Sequence, residues 1–192
     1  MSPLERFAAD RQRAQNASDP WANLAVLATA GTDGAPQARV LILRDLESRI
    51  GIFINSTSPK QRELVASPRV SLLTYYATQS TQYRLGALLA PIDPTIVRRN
   101  WRQRPVIPKT MDWVYTTRIA QSEVVESREA LIRLQAAAAT ELGPDPDPPT
   151  TAVGYYIDIV TLERLELAND RVHDRRRYTR IPGGWREDVL VP

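Results

Sequence analysis

A chain of 192 residues, 43% hydrophobic and 24% charged, suffices for one domain of ordinary size and argues against wholesale disorder. It has no cysteine and one histidine, His173, which excludes disulfides, thiolate nucleophiles and Cys- or His-rich metal sites; no metal is expected. The net charge is only +3, but the lysines are Lys60 and Lys109 and every other basic residue is arginine, whose planar fork suits carboxylates and phosphates.

The polar start, residues 1–15, lacks the apolar core of a signal peptide, and no apolar run reaches membrane-spanning length. The expectation is a cytoplasmic protein with no membrane partner. Residues 1–20 read as a short amphipathic helix and a loop. Leu24–Ala30 and Gln37–Leu46 read as strands of a hairpin turned at Thr32-Asp33-Gly34, and Ile50–Asn55 as a third strand. Ser58 and Pro59 begin a helix that Pro68 ends. Arg69–Tyr76 and Gln82–Pro91 read as another strand pair, and Asp93 caps a helix from Pro94 to about Gln103. Residues Val106–Ser122 read as irregular, Glu123–Leu142 as a helix, and the proline-rich Gly143–Thr151 as a loop. Gly154–Leu167 is strand-like, and Tyr178–Ile181 pairs with Trp185–Leu190 through Pro182-Gly183-Gly184. Antiparallel strands with inserted helices favour a mainly β fold with helices, a small barrel rather than a Rossmann-type sheet. The whole of 1–192 is expected to be one domain, with 154–192 its C-terminal strand and hairpin segment.

Four segments carry polar residues that a plain strand does not need. They are Arg39–Arg44, with arginines bounding an apolar run; Thr57–Lys60 at a helix start, a natural phosphate cradle; Gln82, with Gln121-Ser122 later; and Arg171–Arg175, which holds His173. Each alone fits a capping or solvated-surface role. The arginines are scattered, without stacking aromatics, so a small phosphorylated ligand is favoured over nucleic acid.

In combination and in this order, these segments resemble the pyridoxamine 5'-phosphate oxidase family of FMN-binding split barrels. Arg39–Arg44 is similar to its first FMN motif, Ser58-Pro59-Lys60 to its Ser-Arg-Lys motif, and Ser67–Leu73 to the strand that follows. Gln82–Ala87, Trp101–Pro105, Gln121-Ser122 and the terminal RVHDRRRY are similar to later family motifs. The resemblance implies an antiparallel, Greek-key-like split barrel and an FMN-dependent oxidase, dimeric, with FMN at the interface. Arg39 and Lys60 would grip the cofactor phosphate, with Gln121 and Ser122 supplied by the partner chain. Val40, Leu41, Ile42, Leu43, Phe53 and Ile54, with Arg44 at the motif's end, would line the flavin. Gln82 and Arg175 would hydrogen-bond its ring. Arg171 and His173 would meet the substrate over the flavin as the catalytic pair.

The family's substrate-phosphate grip aligns with Arg44, Asn100, Arg104 and Pro108, where two hydroxyl donors are replaced. Pro59 stands where the family has arginine, and Leu165 where it has a flavin-packing tryptophan. These departures point toward an altered substrate, with a reduced heterocycle of the phenazine pathway as one alternative and a flavin- or pyridoxal-phosphate-binding protein with little turnover as another. Strict alternation also puts Arg39 and Arg44 on opposite faces, so a bulge or twist between them is needed if both are to face one ligand.

Overall fold

The computed structural model describes residues 1–143 and 146–192; Pro144 and Asp145 of the expected Gly143–Thr151 loop lie outside the described residues. Helix α1 (Pro3–Asn16) opens on a capping box between Ser2 and Glu5. Strands β1 (Leu24–Ala30), β2 (Pro36–Ile42), β3 (Arg44–Leu46) and β4 (Arg49–Asn55) precede helix α2 (Pro59–Ala66). Strands β5 (Arg69–Tyr76) and β6 (Thr81–Pro91) come next, then helices α3 (Pro94–Arg102), α4 (Val106–Thr117) and α5 (Arg128–Leu142). The long β7 (Ala152–Glu166) and the hairpin β8 (Asp174–Ile181) and β9 (Gly184–Val189) complete the chain, with Gly183 in the left-handed conformation at the turn.

All strand pairs are antiparallel, in the order β2-β1-β5-β6-β7-β4-β3, and the sheet curls into a half-barrel of the split-barrel class. Strand β7 is central. It pairs with β6 along its length, with β4 over Ala152–Tyr156 and with β8 over Thr161–Glu166. Val160 is left without a partner between the Gly86–Thr161 and Ala87–Ile159 pairs, a bulge that bends β7, and a side chain at Gly86 would strike Thr161 Oγ1 at 2.3 Å, so glycine permits the close strand approach there.

The expected strand 37–46 is broken at Leu43. Its N–H donates to the Asn23 carbonyl at 2.9 Å, one rung beyond the last β1–β2 pair, and its side chain, 2% exposed, enters the core. On one side of this break the chain pairs with β1, on the other with β4, so one stretch of backbone forms both ends of the strand order. Alternation nevertheless runs through it: Arg39, Leu41 and Leu43 face inward and Val40, Ile42 and Arg44 outward, so the two arginines stay on opposite faces.

The core lies inside the curl. Leu27, Leu72, Leu85, Ile52 and Leu162 pack there with Tyr76 and Tyr83, and α1 covers them through Phe7, whose ring meets Tyr83 edge-on at 4.9 Å. Asp10 of α1 is buried and accepts hydrogen bonds from Tyr83 Oη at 2.6 Å, Arg164 Nε at 3.1 Å and Arg13 Nη2 at 2.5 Å.

Two helical expectations are corrected. Residues 106–117 form α4, because Pro108 sits in the first turn, where no intrahelical N–H bond is lost, and Val114 is fully buried. Helix α5 begins at Arg128 rather than Glu123, capped by Ser127, which accepts from the Ala130 N–H at 3.1 Å.

Candidate active site

A cationic cradle forms where β4 runs into α2. Asn55 Oδ1 accepts from the Thr57 N–H at 3.0 Å and from Thr57 Oγ1 at 2.8 Å, which fixes the turn. Ser58 is buried and donates to the Asn55 carbonyl at 2.7 Å instead of capping the helix. Lys60 Nζ donates to Gln121 Oε1 at 3.3 Å, and the Gln121 N–H donates to Thr57 Oγ1 at 3.1 Å. Gln121 thus reaches Lys60 within its own chain, not from across an interface as expected; Ser122 beside it is exposed, with positive φ.

One turn further along α2, Glu63 accepts from Arg39 Nη2 at 2.7 Å and Thr29 Oγ1 at 2.5 Å. Arg39 is thus paired directly with Glu63, while Lys60, three residues earlier on α2, feels the charge of both. Burial holds the Lys60 ammonium below the ordinary lysine range, the neighbouring Arg39 lowers it further, and Glu63 opposes both. A bound anion would relieve that repulsion, so this donor set fits the phosphate of a mononucleotide.

Beside the cradle lies a cleft of about 350 Å³ lined by Ile42, Arg44, Phe53, Ile54, Asn100 and Arg104, with Trp101 among the other walls. Arg44 is exposed and makes no ion pair among the described residues. Asn100 spends an amide hydrogen on the Ile96 carbonyl at 3.0 Å. Arg104 is paired with Asp112, which also accepts from Trp101 Nε1 at 2.8 Å. Burial pushes the Asp112 carboxyl up, against the pull of Arg104, Trp101 and Asn55. Of the Arg39–Arg44 motif, Val40 and Ile42 face outward, while Leu41 and Leu43 turn to the core and offer a ligand only backbone. Another hollow of about 340 Å³, under α1 beside Phe7 and Arg11, contains none of the expected site residues.

The remaining expected residues gather at the far end of β7. Gln82, Leu165 and Arg175 lie in one cross-strand row, all half-buried. Arg175 is held by Glu163, at 3.0 Å from Nε and 2.9 Å from Nη2, and by the Val191 carbonyl at 3.2 Å. In the loop between β7 and β8, His173 Nδ1 accepts from the Ala168 N–H at 3.0 Å, which leaves the proton on Nε2. Arg171, exposed, has φ 69°, a left-handed conformation that costs a non-glycine residue about 1–2 kcal/mol. Ala152 at the cleft and Leu165 in the cross-strand row lie toward opposite ends of β7.

Two residues of the site escaped the sequence reading. Glu63 follows Lys60 by three positions on α2, the spacing of helix-surface neighbours, and that spacing was a usable signal. Asp112 gave none while its segment read as irregular.

Residues 20–143 match the family pattern described as pyridoxamine 5'-phosphate oxidase. Pyridoxine/pyridoxamine 5'-phosphate oxidase of Nocardioides sp. is 34% identical over 191 residues, covering 99% of this chain and 88% of that protein. The enzyme of the same name from Burkholderia multivorans is 32% identical, covering 99% and 89%. The crystal structure of PhzG from Burkholderia lata, in complex with tetrahydrophenazine-1-carboxylic acid, superposes with a TM-score of 0.89 at 27% identity, covering 100% and 93% of the two chains. An FMN-binding protein from Nostoc punctiforme, 19% identical with a TM-score of 0.78 and covering 100% and 99%, shares the fold. With motif order, half-barrel and full-length similarity in agreement, the chain belongs to the pyridoxamine 5'-phosphate oxidase family.

Proposed function

We propose that this protein is an FMN-dependent oxidase acting on a small, flat, anionic substrate, removing a hydride from an amine or alcohol carbon or a reduced ring and passing the electrons to oxygen. The observation that carries the reading is the division of the site: a cradle and cleft at one end of β7, and Gln82, Arg175, Arg171 and His173 at the other. Two copies related by a two-fold axis, packed through their outward sheet faces, would set the cleft of one against the β7–β8 end of the other and complete two equal sites. The apolar side chains of Val40, Ile42, Leu73 and Tyr75 are exposed on that face, as a homodimer interface requires.

When bound, the flavin would supply hydride acceptance and reoxidation by oxygen. The protein's part is orientation and charge. Lys60 and Arg39 hold the phosphate, with Gln121 steadying Lys60. Gln82 and Arg175 address the ring from the partner side. Arg171 and the Nε2–H of His173 then orient the substrate. Two observations favour a reduced heterocycle over a phosphorylated vitamer: Asn100 is turned onto its own helix, and Pro108 has no side-chain donor where a hydroxyl would grip phosphate.

Purified protein should release FMN on heating, and the loaded protein should consume oxygen with a reduced phenazine carboxylate faster than with pyridoxamine 5'-phosphate. FMN-loaded protein inert with both sinks the oxidase reading. Co-expressing Lys60→Ala with Arg171→Ala chains at limiting FMN tests the composite site. Mixed dimers hold one intact site in two, so about a quarter of wild-type activity should return where each variant alone has little. No recovery above the single variants means that each chain builds its own site.

A further inference from the structure

The two arginines of the cleft differ in the charge they offer. Arg44 is exposed and unpaired among the described residues, whereas Arg104 is one-third exposed with its Nη1 on Asp112, whose side chain is 10% exposed. Asp112 is fixed from several directions. Trp101 Nε1 donates to it at 2.8 Å, and the same indole lies under Lys109, 5.2 Å from the ring centroid. Lys109 is itself anchored, donating to the Arg102 carbonyl at 2.7 Å. Asp112 therefore cannot swing away when a ligand arrives. A guanidinium locked onto a buried carboxylate still presents N–H donors, but little net charge reaches the cleft. A phosphate dianion seated on Arg104 would also face the Asp112 carboxylate just behind it, at a separation where like charges interact strongly in a partly desolvated site. A monoanion in the same place feels that carboxylate half as much.

We propose that Asp112 is a specificity-determining residue that neutralises Arg104, so that the cleft selects singly charged planar ligands and rejects phosphate dianions. This rests on the reading of the cleft as the substrate side of a flavin site. Neither Arg44 nor Arg104 alone makes the distinction, because both can pair with any anion; the buried carboxylate turns a two-cation pocket into a one-cation pocket.

The test titrates FMN-loaded protein with benzoate and with phenyl phosphate, ring-matched probes of one and two negative charges, following the shift in flavin absorbance. Wild type should bind benzoate at least as tightly as phenyl phosphate. Asp112→Asn keeps an acceptor for Trp101, and Asp112→Ala removes the group outright. Each should tighten phenyl phosphate about tenfold and change benzoate by less than about threefold. Adding Arg104→Ala to Asp112→Asn should abolish the gain, which a merely structural aspartate would not produce. A clear flavin shift with an unchanged preference in both single variants overturns the role of Asp112 and leaves the site reading standing. No shift with either probe in any flavin-loaded form overturns both.

Discussion

Replacing Glu63 by glutamine should move stability and cofactor affinity in opposite directions. Glu63 is 9% exposed and bonded to Arg39, itself 23% exposed, and to Thr29. Glutamine keeps one acceptor but strands the guanidinium without its counter-charge. Loss of a hydrogen bond to a charged group in this setting costs about 1.5–3 kcal/mol. In a chain of this length that lowers the Tm of the flavin-free protein by about 3–12 °C. The same change leaves Lys60 and Arg39 facing each other without a carboxylate, so a phosphate entering the cradle meets two unopposed cations. Removing one negative charge from the cradle, at an effective dielectric of about 20 and discounted for solvent and rearrangement, should strengthen FMN binding by about 1–2 kcal/mol, or roughly 5- to 30-fold. Thermal melting of the apoprotein and quenching of FMN fluorescence measure the two quantities separately. If Glu63→Gln weakens FMN binding together with stability, Glu63 is part of the grip and the cradle has been read with the wrong sign.

Two further outcomes follow from buried charges. With its pKa lowered by burial and by Arg39, Lys60 binds fewer protons in the folded than in the unfolded chain just below the ordinary lysine range, so its contribution to apoprotein stability rises with pH there. FMN affinity should run the other way, falling as the ammonium deprotonates, and Lys60→Arg should abolish that alkaline fall; a profile identical in both proteins removes Lys60 from the phosphate site. Asp10→Ala leaves Arg164 and Tyr83 without their buried partner and should cost about 3–5 kcal/mol, or about 6–20 °C in Tm, while a loss under ~2 °C by circular dichroism would mean that the α1 contact is dispensable.

The strands were legible because alternation and turn residues act locally. Arg69–Tyr76 alternates exposed and buried along its whole length, and the Pro59 helix starts where its proline permits. What stayed hidden was non-local. Nothing near Leu43 announces that the chain passes there from pairing with β1 to pairing with β4. Helix α4 was obscured by Pro108 and its β-branched neighbours, whose weak propensity is overridden by burial of Val114, and Asp112 went with it. In the site, motif order indicated Lys60, Gln121 and Arg39, but that Arg39 meets the Glu63 carboxylate and Lys60 meets Gln121 depends on chain segments brought together by the curl.

The central place of β7 also bears on the order in which the protein can assemble during synthesis. The stretch from β1 to β6 can pair as it emerges, but β4 and β6 each present an edge that only β7 satisfies, and β7 follows β4 by about a hundred residues. Until residue 166 has left the ribosome, two rows of unpaired backbone groups stand open, the state in which strands pair with wrong neighbours. Closing the sheet then joins distant segments in one step, and such long-range pairings fold slowly. The strand that separates the two halves of the site is thus also the one that ends the nascent chain's exposure.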